Sequence, residues 1–129
     1  NFFGKSYLKC SETYTDYIKK NLIKKKIIKI ADNIIFNPLN LETLVKNLFL
    51  ISKSNLKGIF NLGSKNSISK FHFAKKVARK FRLNSSYLVS FKSDYEKDKR
   101  PLGTYMNVSK FEKKTKVKLP NIDYGISIL

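Results

Sequence analysis

The sequence predicts an α/β fold in which helices and strands alternate along the chain. Tyr14, Ile18 and Leu22 recur every four residues, which is typical of an amphipathic helix. Residues 27–32, IIKIAD, form a short β-branched run that indicates a strand. Residues 58–63, GIFNLG, are largely apolar, as expected of a strand that is buried on both faces.

The first third of the chain carries signals for one helix and an extended segment. Ser11 or Thr13 can cap the first helix, and the three lysines at 24–26 suit the negative end of its dipole. Pro38 pushes Asn37 out of the helical region of backbone space. We therefore expect an extended conformation around this pair.

Two further helices are predicted after this segment. Asn40 caps the first of them, and Ser67 or Ser69 caps the second. The first helix has a wide apolar face, made of Leu41, Leu44, Val45, Leu48 and Ile51. In the second helix, four side chains are predicted to face the protein interior, namely those of Phe73, Val77, Ala78 and Phe81.

The last third of the chain is predicted to contain short elements. Residues 87–91 indicate a strand, and residues 93–99 a charged loop. Asn107 caps a short helix, residues 117–120 are extended, and Asn121 caps a last helix. Residues 1–129 are predicted to form a single domain, since no linker or repeat interrupts them.

The net charge of +18 raises the possibility of a nucleic-acid-binding protein. However, lysine is spread along the whole chain and is not gathered on one element. Arg79, Arg82 and Arg100 are the only arginines, although readers of bases and phosphates favour the arginine fork. The chain is also rich in other residues that AT-rich codons favour. We therefore expect a solvated basic surface and no nucleic-acid partner.

Features that are absent from the sequence bear on where the protein is located in the cell and on whether the chain is part of a longer protein. No apolar run approaches the roughly 20 residues of a membrane span, so no membrane partner is expected. Asn1 is neither an initiator Met nor the start of a signal-type apolar segment, which predicts a fragment of a longer protein. Cys10 is the only cysteine, which excludes an internal disulfide and is consistent with a reducing, cytoplasmic location. No cysteines and histidines have metal-ligand spacing.

The residues alone predict no reaction chemistry. Tyr95 and Lys99 have the Tyr-x-x-x-Lys spacing that places a phenol and an ammonium on one helical face. They lie in a polar segment without a helical pattern, and one such match is expected by chance in a chain this rich in lysine and tyrosine. The five glycines include no phosphate-cradling spacing. We therefore expect no catalytic and no cofactor-binding residue here.

The order of several short motifs is more specific. They are NFFG at 1–4, FNPL at 36–39, GIFNLGS at 58–64, SKFHFAKKVA at 69–78 and RPLGTYMNVSKFEKKTKVKLP at 100–120. In this order they resemble the C-terminal half of the dTDP-4-dehydrorhamnose reductase family, which are extended short-chain dehydrogenases that act on nucleotide sugars. Asn107 stands where that family usually has Asp, and both residues are good helix caps.

The resemblance implies a small mixed α/β substrate-binding domain together with the last strand or strands of a Rossmann-type core sheet. The family's cofactor loop and its catalytic Ser, Tyr and Lys would lie upstream of Asn1. NAD(P)H is therefore expected in the full-length protein, and this fragment alone is expected to bind none. The implied partner is a nucleotide sugar, with a dTDP-sugar favoured, and a homodimer is possible. The alternative is a non-catalytic binding or regulatory relative of the same fold.

Three residues are candidates for substrate contact under this resemblance. Arg100 offers a guanidinium that can donate two parallel hydrogen bonds to a diphosphate, and Pro101 restricts the backbone beside it. Asn1 resembles the family's strand-end residue near the sugar, although a chain terminus can also fray. Asn37 either faces the sugar pocket or forms a turn. The alternative for Arg100 is pairing with the acidic side chains of its own loop, at Asp94, Glu96 or Asp98.

Overall fold

A computed structural model describes residues 1–6, 11–99 and 101–129, and of Asp98 only the backbone. The strands in this part of the chain are β1 (Phe2–Phe3), β2 (Ile28–Ala31), β3 (Ile35–Phe36), β4 (Leu39–Asn40), β5 (Ile68–Ser69) and β6 (Leu88–Phe91). The helices are α1 (Tyr14–Ile23), α2 (Leu41–Ser52), α3 (Lys70–Lys80), α4 (Tyr95–Asp98), α5 (Ser109–Thr115) and α6 (Ile122–Ser127), and a 3₁₀ turn spans Ser85–Tyr87.

The described strands pair two by two. β1 runs parallel to β4, β2 runs parallel to β6, and β3 runs antiparallel to β5. A further parallel bridge joins Ile35 of β3 to Gly103. These pairings are distant in sequence, and they bring the chain start and the segment after Pro101 to the same edge of β3 and β4.

Local side chains start the helices as the sequence predicts. Thr13 caps α1 in a reciprocal box with Asp16, and Asn40 caps α2. Ser69 caps α3 and Asn121 caps α6. α1 ends at Ile23, so the three lysines at 24–26 follow the helix and do not form its last turn.

The described residues form two apolar cores. The larger core packs α1 and α3 over β2 and β6, with Ile18, Leu22, Phe73 and Val77 buried as the helical spacing predicts. The smaller core lies under α2 and α5 and centres on Leu39, Val108, Phe111 and Leu119. No described helix is long and apolar enough to cross a membrane.

The predicted apolar face of α2 is divided in the structure. Leu44 and Ile51 pack against the smaller core, as expected. Val45 and Leu48, which the spacing places on the same face, are 62% and 49% exposed. Helical spacing reports which side chains share a face, but it does not report how wide a surface the rest of the chain can cover.

Three local predictions were wrong. Residues 58–63 form no strand, since residues 57–63 make no backbone-to-backbone hydrogen bond within the described chain, although the Ile59 carbonyl accepts one from Lys110 Nζ at 2.9 Å. Residues 93–99 are not wholly a loop, since Asp94 caps the one-turn helix α4. Asn107 accepts a hydrogen bond from the Ser109 N–H, but Val108 is the residue that precedes α5.

Candidate functional site

A cavity of about 250 Å³ lies where the chain start meets α1, β3 and α3. It is lined by Asn1, Phe2, Phe3, Tyr14, Phe36, Lys70 and Phe73. These residues come from four separate stretches of sequence, so only the folded chain assembles the cavity. A concave, largely aromatic surface with a few polar groups is the usual form of a small-molecule site.

The wall of the cavity is a cluster of aromatic rings around Phe73. Phe3 and Phe36 meet the Phe73 ring edge-to-face, with centroids 5.0 and 5.5 Å away. Tyr14 stacks on the same ring at 6.0 Å and 15°. Phe73 is fully buried, so it supports the wall from behind, and the rings that remain accessible at the cavity are the half-exposed Phe2 and the partly exposed Tyr14.

Tyr14 is the titratable group that the cavity perturbs most clearly. Burial raises its pKa to about 12, and the neighbouring Tyr17 adds to the shift. The Tyr14 hydroxyl therefore stays protonated throughout the physiological range. It can donate or accept a hydrogen bond there, and it is not available as a general base.

Asn1 is exposed at the mouth of the cavity and is held in place at two points. Its carbonyl accepts a hydrogen bond from the Leu39 N–H at 3.1 Å, as part of the β1–β4 pairing. Its side-chain Nδ2 donates to Thr104 Oγ1 at 3.3 Å. The Thr104 N–H in turn donates to the Ile35 carbonyl at 2.9 Å. These contacts hold the residue, and one side-chain amide N–H and the amide oxygen have no hydrogen-bond partner among the described residues.

Asn37 is buried, with 4% of its surface exposed. Its Nδ2 donates to the carbonyls of Ser64 and Met106 at 3.1 and 2.9 Å, and its Oδ1 accepts from the Met106 N–H at 3.0 Å. The amide thus ties three segments of chain together behind the cavity. Its predicted contact with a substrate stays a prediction, and the geometry gives it the separate task of positioning residues 104–106.

The third candidate, Arg100, lies outside the described residues. The segment that follows it is firmly placed, since the Ile35 N–H donates to the Leu102 carbonyl at 2.7 Å and Gly103 bridges to Ile35. Of the acids in the alternative pairing, Asp94 accepts from the Glu96 N–H at 3.0 Å, and Glu96 forms an ion pair with Lys99 at 3.1 Å. Whether Arg100 contacts a substrate or pairs with the acidic residues of its own loop stays a prediction.

The described residues offer binding groups and no evident reaction machinery. Tyr95 is half exposed, and Lys99, which follows α4, is paired with Glu96. His72 Nδ1 lies 2.8 Å from the Ser69 hydroxyl at the start of α3. No group of three or more His, Cys, Asp or Glu in this part of the chain could hold a metal ion.

Sequence reasoning missed most of the cavity wall. Tyr14 and Phe73 were predicted as inward-facing helical residues, which is correct, but the pattern does not show that one side of their rings borders a cavity. Phe36 and Lys70 gave no signal as site residues. A larger surface depression, of about 590 Å³, lies open to solvent beside α5 among Lys110, Lys113 and Lys114, and no buried polar group shapes it.

This chain has a mixed α/β fold of the extended short-chain dehydrogenase type, which it shares with part of the length of several solved structures. A dTDP-4-dehydrorhamnose reductase from Bacillus anthracis, solved in complex with NADP, superposes with a TM-score of 0.82 at 15% identity, over 98% of this chain and 44% of that one. A dTDP-4-dehydrorhamnose reductase from Clostridium acetobutylicum superposes with a TM-score of 0.78 at 13% identity, over 98% of this chain and 44% of that one.

The similarity extends to a second kind of nucleotide-sugar enzyme. A UDP-N-acetylglucosamine 4-epimerase from Bacillus cereus superposes with a TM-score of 0.69 at 14% identity, over 98% of this chain and 41% of that one. No protein-family model and no curated protein matches the sequence. The chain spans less than half the length of these solved structures. The superpositions confirm the predicted α/β fold class.

Proposed function

We propose that this chain is the substrate-binding portion of an NAD(P)-dependent nucleotide-sugar reductase, which reduces a 4-keto sugar nucleotide of the dTDP-4-dehydrorhamnose type. The observation that carries the proposal is the superposition on a dTDP-4-dehydrorhamnose reductase over 98% of the chain, with an aromatic cavity at the chain start. NAD(P)H, bound elsewhere in the complete cytoplasmic protein, supplies the hydride. The residues described here supply binding and orientation of the sugar nucleotide.

Each side of the cavity suits one part of such a ligand. The half-exposed ring of Phe2 and the partly exposed ring of Tyr14 offer an apolar surface on which a base or the apolar face of a sugar stacks, and the buried rings of Phe36 and Phe73 support them. The Asn1 amide, at the mouth, donates to hydroxyl or phosphate oxygens. Arg100 adds the forked cation that matches a diphosphate, and Lys70 adds a positive charge to the cavity lining.

A binding measurement on the purified chain tests this proposal. Titration calorimetry with dTDP-glucose is expected to show binding, and titration with NADPH is expected to show none. The Asn1→Ala variant should weaken dTDP-glucose binding about fivefold or more, since it removes one hydrogen bond to the ligand. Asn55→Ala is the matched control, because Asn55 is an exposed asparagine that does not line the cavity. Equal affinity of the wild type and Asn1→Ala, or no binding at millimolar dTDP-glucose, contradicts the proposal.

The non-catalytic relative of the same fold predicts the same ligand contacts without turnover. An activity assay distinguishes the two hypotheses. The longest protein that contains this chain is assayed for NAD(P)H oxidation with a 4-keto sugar nucleotide. Turnover supports the reductase, and ligand binding without turnover supports the binding or regulatory protein.

A further inference from the structure

A groove of about 400 Å³ lies between α2, the extended residues 117–120 and α6, and we call it the α2–α6 groove. Its volume falls within the roughly 300–1,000 Å³ of small-molecule sites, and it shares no lining residue with the cavity at the chain start. Leu50, Val117, Pro120 and Tyr124 form its apolar part. Tyr124 is 53% exposed and Leu50 is 37% exposed, so both side chains are accessible to the flat ring of a ligand.

Asn47 lines this groove with a hydrogen-bond acceptor that the described residues leave unused. The residue is buried, with 6% of its surface exposed. Its Nδ2 donates to the Thr43 carbonyl at 2.8 Å, whereas its Oδ1 has no hydrogen-bond partner in the described part of the chain. This oxygen still touches solvent, in contrast to the enclosed Thr15 Oγ1. Buried polar atoms normally have partners, so a nearly buried acceptor that opens into a groove marks a place where a ligand N–H can bind.

Charge is an independent observation at the same place. Lys46 and Lys118 line the groove, and no carboxylate lines it. Neither ammonium has a hydrogen bond or an ion pair among the described residues. Lys76 of α3, by contrast, pairs with Asp123 of α6. The groove therefore attracts an anionic group, and lysine is a common partner of phosphate.

We propose that the α2–α6 groove is a second ligand site, which takes a small planar anion with an N–H donor, namely a nucleoside monophosphate. The base stacks on the accessible ring of Tyr124, as bases do on aromatic side chains. An N–H of the base donates to Asn47 Oδ1, and the phosphate binds Lys46 and Lys118. This site does not rest on the proposed function, since the cavity at the chain start is lined by other residues.

Titration calorimetry of the purified chain with AMP tests the proposal. AMP is expected to bind with a Kd of about 1 mM or lower. Adenosine and inorganic phosphate are the two partial probes, because adenosine lacks the anion and phosphate lacks the base. Each should bind at least about tenfold more weakly than AMP, since each makes only part of the contacts. Added salt should weaken the binding of AMP, because its phosphate is held by two surface charges.

Two variants with matched controls locate the bound AMP. Asn47→Ala should weaken its binding about fivefold or more. Asn21→Ala is the control, because Asn21 Nδ2 donates in the same way to the Tyr17 carbonyl at 2.8 Å, on α1 and outside the groove. Lys118→Gln should also weaken binding about fivefold, and it changes an exposed side chain, so it tests the site even where Asn47→Ala fails to fold. Lys113→Gln, at an exposed lysine of α5 outside the groove, should leave the Kd unchanged.

Four outcomes overturn the proposal. AMP fails to bind at millimolar concentration, inorganic phosphate binds as tightly as AMP, Lys118→Gln leaves the Kd for AMP unchanged, or Asn1→Ala weakens AMP binding as much as Asn47→Ala does. The second outcome reduces the groove to a basic surface, and the fourth places AMP in the cavity at the chain start. Binding of dTDP-glucose is measured in parallel. Its retention without AMP binding contradicts the groove alone, and AMP binding without it contradicts the proposed function alone.

Discussion

The side chain of Asn37 pairs with the backbone of Met106 as a second strand would. Its Oδ1 accepts from the Met106 N–H at 3.0 Å, and its Nδ2 donates to the Met106 carbonyl at 2.9 Å. The same Nδ2 donates to the Ser64 carbonyl at 3.1 Å. One amide thus satisfies three main-chain groups from two distant segments, and it holds Met106 and Ser64 to the same residue.

Asn37→Ala should therefore destabilise the chain by about 3 kcal/mol, because it leaves main-chain groups without partners in a buried place. Urea denaturation followed by circular dichroism measures the change. Asn55→Ala, at an exposed position, should stay within about 0.5 kcal/mol of the wild type. A loss of ligand affinity in Asn37→Ala without any loss of stability would instead favour direct substrate contact by Asn37.

Gly63 is required by the same arrangement. A Cβ at this position would lie 2.8 Å from Asn37 Nδ2 and 2.9 Å from the Asn37 carbonyl oxygen, and the latter cannot move without breaking its hydrogen bond to the Ser64 N–H. Gly63→Ala should lower the free energy of unfolding by about 1–3 kcal/mol. Gly103→Ala is the control, since its Cβ would meet only the ring of the exposed Tyr105, which can rotate away. Equal stability of the two variants would count against this close approach.

The sequence could predict features whose cause is local. Helix caps depend on one side chain and the next turn, so Asn40 and Asn121 were predicted correctly, and Thr13 and Ser69 were each one of two predicted candidates. The cavity could not be predicted, because its wall joins residues from four stretches through pairings such as β1 with β4. The exposure of Val45 and Ile59 could not be predicted either. An apolar pattern indicates that a surface avoids water, but it does not show which polypeptide covers that surface.

The raised pKa of Tyr14 gives a pH-dependent contribution to stability. Because its pKa is about 12 in the folded chain and 10.0 in the reference state, folding favours the neutral phenol. This contribution is complete below pH 10 and is lost as the pH rises from 10 through 12, with a total on the order of 2 kcal/mol.

Tyr14→Phe isolates this effect from the titration of the many lysines. The stability difference between the wild type and Tyr14→Phe, measured by urea denaturation, should be constant from pH 7 to pH 9 and shift in favour of the variant near pH 11. Tyr105→Phe, which alters an exposed ring, is the matched control. A difference that does not change with pH would show that Tyr14 titrates as it does in the unfolded chain.

The basic surface should bind DNA weakly and without sequence preference. Exposed lysines lie on α1, α2, α3 and α5, and we expect the charge of +18 to be spread over several faces. Fluorescence anisotropy with two unrelated duplexes should give the same affinity for both, and the affinity should fall steeply with added salt as counterions compete. Sub-micromolar binding that distinguishes the two duplexes at physiological salt would support the nucleic-acid-binding interpretation.

Arg100 is expected to contact the diphosphate of the bound sugar nucleotide in the complete enzyme. It is one of three arginines in a chain that otherwise uses lysine, it stands directly before Pro101, and the following residues are held against β3 through Ile35. Arg100→Lys retains the charge and loses the fork. It should therefore raise the Kd for dTDP-glucose about tenfold, which corresponds to about 1.4 kcal/mol, with little change in melting temperature.

The loop alternative predicts the opposite pattern for the same variant. If Arg100 pairs with Asp94, Glu96 or Asp98, Arg100→Lys should lower the melting temperature by a few degrees and leave the Kd unchanged. Lys97→Arg is the control, because it introduces a guanidinium into the same loop and should change neither quantity. Titration calorimetry and thermal denaturation on the three proteins separate the two interpretations, since a diphosphate contact acts only when the ligand is bound, whereas a loop ion pair acts in the free protein.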